Sequence, residues 1–208
     1  VAAAEASRPE AAAASAAAAP LAIGEHMTSN TRTSAPTAFH TASPLRWVRH
    51  LWLDADDARR TLTPQGLARL EARVRESETR HRGELRLCVE GGLPAGALWD
   101  GLDAHSRAID LFGRLRVWDT EHNNGVLIYL LLADHRIEIL ADRGLASQTP
   151  PDTWQRLTEA LADSLREGRF EEGLANAIDQ VGALMRERYP LQPGEHDRNE
   201  LPDAVVLL

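Results

Sequence analysis

The densest apolar run in the chain is Val126 to Leu132, in GVLIYLLLA, and it shows no polar alternation. That pattern predicts a strand covered on both faces. The ADH that follows (133–135) is a tight turn. RIEIL then alternates Ile137 and Ile139 against Arg136 and Glu138, which predicts a returning strand with one less buried face. Upstream, ELRLCVE (84–90) sets Leu85, Leu87 and Val89 against Glu84, Arg86 and Glu90, with Cys88 as the exception on the polar side. This too predicts a strand.

Apolar positions at helical spacing predict the other elements. Leu67, Leu70 and Val74 make one stripe behind Thr63 and Pro64, which suit a helix start. PAGALWDGLDAHSRAIDLF predicts one helix with Leu98, Leu102, Ile109 and Phe112 on a single face, His105 among them. Trp154, Leu157, Leu161 and Leu165 follow Pro150-Pro151, and Phe170, Leu174, Ile178, Val181 and Met185 form a last helix closed by Tyr189-Pro190. In PLRWVRHLWLDADDARR, Trp47, Val48, Leu51 and Trp52 oppose Arg46, Arg49 and His50. The expectation is a short helix packing its tryptophans on the domain. A membrane-surface helix is the alternative, and the acidic DADD directly after it would repel anionic lipid.

The order is helix, strand, helix, strand, strand, helix, helix. A helical crossover makes the first two strands parallel, and the hairpin adds the third antiparallel. The expected fold class is α/β: a three-layer α/β/α sandwich with a small mixed β-sheet. Strand direction then has a consequence for chemistry. Asn123-Asn124-Gly125 leads into the second strand and Asp142-Arg143-Gly144 leaves the third, so both corners lie at one edge of the sheet. Glu84 opens the first strand at the same edge. Glu84, Asp119, Glu121, Asn123, Asn124 and Asp142 are expected on one rim, with Arg86 and Arg143 close by. Carboxylate, amide and carbonyl oxygens without thiols suit Ca²⁺ or Mg²⁺. Gly125 and Gly144 allow a sharp turn and close approach to a ligand. Plain turn chemistry accounts for NNG and DRG equally well.

Composition narrows the partners. The chain has 208 residues, 43% hydrophobic and 26% charged, with a net charge of -8. An acidic balance argues against nucleic acid, whose binding rests on neutralising phosphates. Cys88 is the single cysteine, so no intrachain disulfide forms and a reducing compartment is expected. No segment reaches the roughly 18 apolar residues of a transmembrane helix. Residues 1–44 are rich in Ala, Ser, Thr and Pro and are expected to be disordered. The domain is expected over 45–190 with its N-terminal helix, and 191–208 as a tail whose apolar end, PDAVVLL, docks.

Four pieces together, GELRLCVE, FGRLRVWDTEHNNGVLIYLLLADHRIEILADRGL, a Trp-bearing helix and GRFEEGLANAIDQVGALM, resemble the TPM domain over about residues 62–190. The family takes its name from thylakoid, photosystem-repair and nematode receptor-modulator members. The resemblance implies the α/β/α sandwich and a divalent-cation site, with Asn124-Gly125, Asp142, Gly144 and Glu84 matching the family's polar corners. Acid phosphatase activity is attributed to plant members. Bacterial members often carry an export signal and a membrane-spanning tail. This chain shows neither, which places it with the soluble bacterial branch and predicts a cytoplasmic protein. The expected function is a divalent-cation-binding, protein-interaction module whose partner is a protein, membrane-associated or not. A weak metal-assisted acid phosphatase acting on phosphate monoesters is the alternative. In it Asp119 or Asp142 would hold the ion, Arg143 would bind phosphate oxygens and His122 would act as a general acid.

Overall fold

A computed structural model describes residues 44–53, 55–192, 194, 195 and 199–208. The expectation for residues 1–44 lies, apart from Pro44, outside the described residues. Three strands follow the predicted hairpin and crossover: β1 (Leu85–Glu90), β2 (Val126–Leu131) and β3 (Arg136–Ala141). β1 and β2 are parallel with Leu85 opposite Val126, and β2 and β3 are antiparallel with Val126 opposite Ala141. A fourth strand, β4 (Val206–Leu207), comes from the tail and pairs parallel with β1, giving the order β3-β2-β1-β4.

Helices cover both faces. On one face, α2 (Ala55–Thr61), α3 (Pro64–Glu78), α7 (Pro151–Arg166) and α8 (Phe170–Arg188) pack Ala58, Leu70, Val74, Trp154, Leu157, Leu174, Ile178 and Met185 onto Leu85, Leu87, Val89, Ile128 and Ile139. On the other, α4 (Ala95–Trp99) and α5 (Ala104–Arg114) pack Leu98, Ala108, Leu111 and Phe112 onto Cys88, Leu127, Tyr129 and Leu140. The fold is the three-layer α/β/α sandwich. As expected, Thr63 caps α3: its hydroxyl oxygen accepts from Gly66 N at 3.2 Å.

The structure departs from the sequence reading in four places. The predicted helix over 94–112 is two helices, because Gly101 takes φ +72 and Asp103 recaps the chain, accepting from Ser106 N at 2.8 Å. Leu102 then falls in the connection and Ile109 faces outward; Ala104, Ala108, Leu111 and Phe112 are the buried face. β1 has no solvent-facing side, since all six residues are buried. Of its charged positions, Arg86 keeps Nε and Nη1 buried without partners, whereas Glu90 is satisfied internally. Arg107 donates to Glu90 at 2.8 and 3.0 Å, and the Tyr129 hydroxyl donates to the same carboxylate at 2.6 Å. A buried charge is tolerable when paired and hydrogen-bonded in this way. Short helix α6 (Arg143–Ala146) occupies the DRGL corner. Finally, the helix α1 (Pro44–Trp52) packs only Trp47 of its expected apolar face on the core, and Val48, Leu51 and Trp52 are exposed. Arg46 donates to Asp134 at 2.9 and 3.1 Å, and His50 bonds Asp134 at 3.0 Å while accepting from Leu93 N at 2.8 Å.

The tail is held by side-chain acceptors far away in sequence. Glu84 accepts from Glu200 N (2.9 Å) and Leu201 N (3.2 Å), and Glu71 accepts from Val205 N at 3.1 Å. Leu208 N donates to Val89 O at 3.0 Å. Beneath the tail, burial and then the Glu84 charge push the Glu78 carboxyl up to about 9. Glu78 therefore carries its proton at neutral pH, while its Oε1 accepts from Leu85 N at 3.1 Å. A carboxyl whose folded pKa is raised gives stability that is complete at low pH and is lost as pH rises from 4.5 through about 9. Glu78→Gln keeps a donor and an acceptor without the titration. Thermal unfolding should show the variant gaining several degrees over wild type at pH 8, with no gain at pH 4. A variant less stable than wild type at pH 8 would contradict the raised Glu78 pKa.

Candidate functional site

The two polar corners meet, and backbone bonds lock them. Past the end of the hairpin ladder, Asp142 N donates to Gly125 O and Gly144 N donates to Asn123 O, each at 2.8 Å. Asn123 takes φ 52, a conformation asparagine tolerates better than most residues. The glycines are demanded by space rather than by φ. A Cβ on Gly125 would lie 2.0 Å from Val117 O, and one on Gly144 would lie 2.5 Å from both Asn123 O and His122 O.

Two side chains are buried in this corner, each with an oxygen left over. The Asn124 amide nitrogen donates to Arg82 O at 2.8 Å, which fixes the amide's orientation and leaves Oδ1 buried without a partner. Asp142 Oδ1 accepts from Arg143 N at 2.6 Å, while its Oδ2 is buried without a partner. Burial lifts the Asp142 carboxyl above the usual carboxylate range, against the Arg143 N–H and the Arg143 charge. Buried polar atoms are seldom left unpaired, so two in one corner are a notable feature.

The end of α8 closes the corner. The Tyr189 hydroxyl accepts from Gln148 Nε2 at 2.8 Å, and the same amide donates to Gly144 O at 2.9 Å. The Tyr189 ring stacks on His122 with centroids 6.3 Å apart, and Arg82 N donates to Tyr189 O at 2.9 Å. Sequence reasoning missed Tyr189, Gln148 and Arg82, since nothing in the pattern around them points to the hairpin.

The other predicted rim residues serve elsewhere. Asp119 is exposed and pairs with Arg116, and Glu121 is exposed, its N donating to Glu200 at 3.1 Å. Glu84 spends both oxygens on the tail, one strand away from the corner. Arg86 is buried in β1 with Nε and Nη1 unpartnered, and burial lowers its pKa although the Asp203 and Glu84 charges oppose this. Arg143 is exposed. Among the described residues, no three His, Cys, Asp or Glu side chains come together in a way that could hold a metal ion. Cys88 is buried, and burial pushes its thiol up to about 12, which makes it inert.

A crossover-linked parallel pair, an appended antiparallel hairpin strand and two helical layers, with a glycine-gated corner at the hairpin's open end, define a class of small α/β/α domain. A TPM domain profile matches residues 55–184, and the chain belongs to the TPM domain family. Among solved structures it is similar to the BA42 protein from the psychrophilic bacterium Bizionia argentinensis, determined by NMR. The two are 27% identical with a TM-score of 0.61, over 70% of this chain and 94% of that one. No curated protein matches the sequence. No helix among the described residues is long and apolar enough to cross a membrane.

The Gly125 contact gives a direct check on the corner. Gly125→Ala should destabilise the protein by about 3 kcal/mol or more, because the obstructing atom is backbone. Gly113→Ala, in α5 with nothing within 4 Å of the added carbon, should be neutral or stabilising. Thermal unfolding of both variants would expose equal effects, which the close approach does not allow.

Proposed function

We propose that the corner of Asn124 and Asp142 holds a divalent cation, Ca²⁺ or Mg²⁺, and that the domain is a cation-stabilised interaction module. The observation that carries this reading is the pair of buried oxygens without partners, Asn124 Oδ1 and Asp142 Oδ2. A hard cation takes such oxygens, and one carboxylate beside one carboxamide suits an ion that completes its shell with backbone carbonyls and water. With a single carboxylate in the corner, the expected affinity is weak, on the order of the millimolar range of low-charge calcium sites. Asn123, Gly125, Arg143 and Gly144 shape the corner. Asp119, Glu121 and Glu84 lie farther out on the rim, where their charge favours a cation's approach. A bound ion would supply charge neutralisation for Asp142 and rigidity at the hairpin's open end. A single buried thiol fits a reducing, cytoplasmic setting.

The test is a thermal unfolding titration. Wild type should gain stability saturably with Ca²⁺ or Mg²⁺, about 2.7 kcal/mol at a hundredfold excess over Kd. Asp142→Asn keeps the acceptor for Arg143 N and removes a buried charge. In chelator it should be at least as stable as wild type, yet show no response to either ion. A wild type that ignores both ions, or a variant that responds equally, would overturn the reading. Cation-dependent hydrolysis of p-nitrophenyl phosphate, lost in Asp142→Asn, would instead favour the phosphatase.

A further inference from the structure

The helix α1 is amphipathic, and most of its apolar face is turned away from the core. Its Arg46 and His50 point inward beside Trp47, which packs on the core under α4 and α5, while Arg49 stays exposed. Arg46 and His50 converge on Asp134 in the β2–β3 turn, Arg46 also donates to Leu102 O at 3.0 Å, and His50 is 5% exposed. His50 Nδ1 accepts from Leu93 N, so its Nε2–H is the donor to Asp134 and the ring is neutral, in keeping with a pKa lowered by burial. The apolar residues other than Trp47 therefore point out. Leu45 is 75% exposed, Val48 50%, Leu51 66% and Trp52 80%; Trp99 of α4, joined to the patch by an edge contact with Trp47 at 6.3 Å, is 82% exposed. Leu45, Val48 and Trp52 lie at i, i+3 and i+7, so they form one stripe.

We propose that this face binds the same face of a second copy of the chain, making a two-fold dimer. The size of the patch supports this. Five such side chains present roughly 700 Å² of apolar surface, more than the largest patch of most monomers and close to the ~800 Å² that one partner contributes to a standard interface. The remaining exposed large apolar residues among those described, Trp118 at 46% and Ile109 and Leu208 at 36%, lie singly on other parts of the chain. No second patch of comparable size is then available for a head-to-tail contact, whereas a two-fold interface needs only one patch used twice.

The other occupants fit less well. An interfacial helix binds anionic lipid through basic residues on its polar face. Here Arg46 and His50 are committed to Asp134, Arg49 is the one exposed basic residue of α1, and exposed Asp56, Asp100 and Asp103 follow in a chain of net charge -8. The 43 residues before α1 supply only Val1, Leu21, Ile23, Met27 and Phe39 as large apolar side chains, too few to cover two exposed tryptophans. The dimer does not involve the cation corner, so either can fail without the other.

Sedimentation velocity of the full chain, from about 5 to 100 µM, tests the dimer. Wild type should sediment at twice the 22.9 kDa chain mass. Val48→Glu and Trp52→Glu should each weaken the dimer at least about a hundredfold and run as monomers, with circular dichroism and cooperative unfolding retained. A wild type that stays monomeric at the highest concentration overturns the proposal. So does a dimer that persists in both variants, because it must then use another face. Flotation of a monomeric wild type with phosphatidylcholine vesicles would assign the face to a membrane instead.

Discussion

The backbone of β2 carries the structure. All six of its residues are buried, so every N–H and C=O along it needs a partner within the sheet. It finds them by pairing parallel with β1 on one edge and antiparallel with β3 on the other. That double commitment fixes the rest. A parallel neighbour requires a long crossover, which delivers α4 and α5 to one face. An antiparallel neighbour requires a tight turn, and the turn places Asp134 where α1 can reach it. The same geometry brings the start of β2 and the end of β3 to one place, so Asn123-Asn124-Gly125 and Asp142-Arg143-Gly144 become a single corner. The chain can close that corner only because Gly125 yields its side-chain volume to Val117 O.

Burial of polar groups divides by how well they are partnered. Glu90, Arg107 and Tyr129 satisfy one another beneath α5, and Glu84 is saturated by tail amides. These groups stabilise a particular arrangement, since removing one partner would strand another. Asn124 and Asp142 differ in that each keeps an unpaired buried oxygen. Glu78, Arg86 and Trp154 also keep unpaired buried atoms, but in this corner both open atoms are oxygens, and the bonds their side chains make are to backbone groups rather than to a cation, which suits a ligand that brings positive charge.

Much of this was legible in the residues. The unbroken apolar run of β2, the alternation of β3 and the NNG and DRG corners gave the hairpin, its direction and the shared rim. The helices α3, α7 and α8 followed from stripes of period 3.6. What escaped notice has a common physical origin: a pattern states which face of an element is apolar but not what that face meets. The stripe of α1 was clear, yet its orientation depended on Asp134, 84 residues beyond His50. Arg86 and Glu90 looked like the wet side of a strand because their burial depends on α5 and on a tail more than a hundred residues away. Gly101 and Asp103 did carry a local signal for a helix break, and the surrounding stripe concealed it. Of the expected rim, Asn124 and Asp142 alone are buried in the corner with a free oxygen. Glu84 was placed at the correct edge, but the tail that takes up its oxygens was not foreseen as a strand.

The most direct test of the central claim is a two-dimensional ¹H–¹⁵N NMR titration with Ca²⁺ and Mg²⁺, followed at the Asn124 side-chain amide. The account predicts saturable shifts of that amide together with the backbone signals of residues 123–125 and 142–144, while exposed acidic stretches such as Asp56-Asp57 and Glu171-Glu172 stay still. Shifts confined to those surface carboxylates, with Asn124 unmoved at saturation, would contradict it.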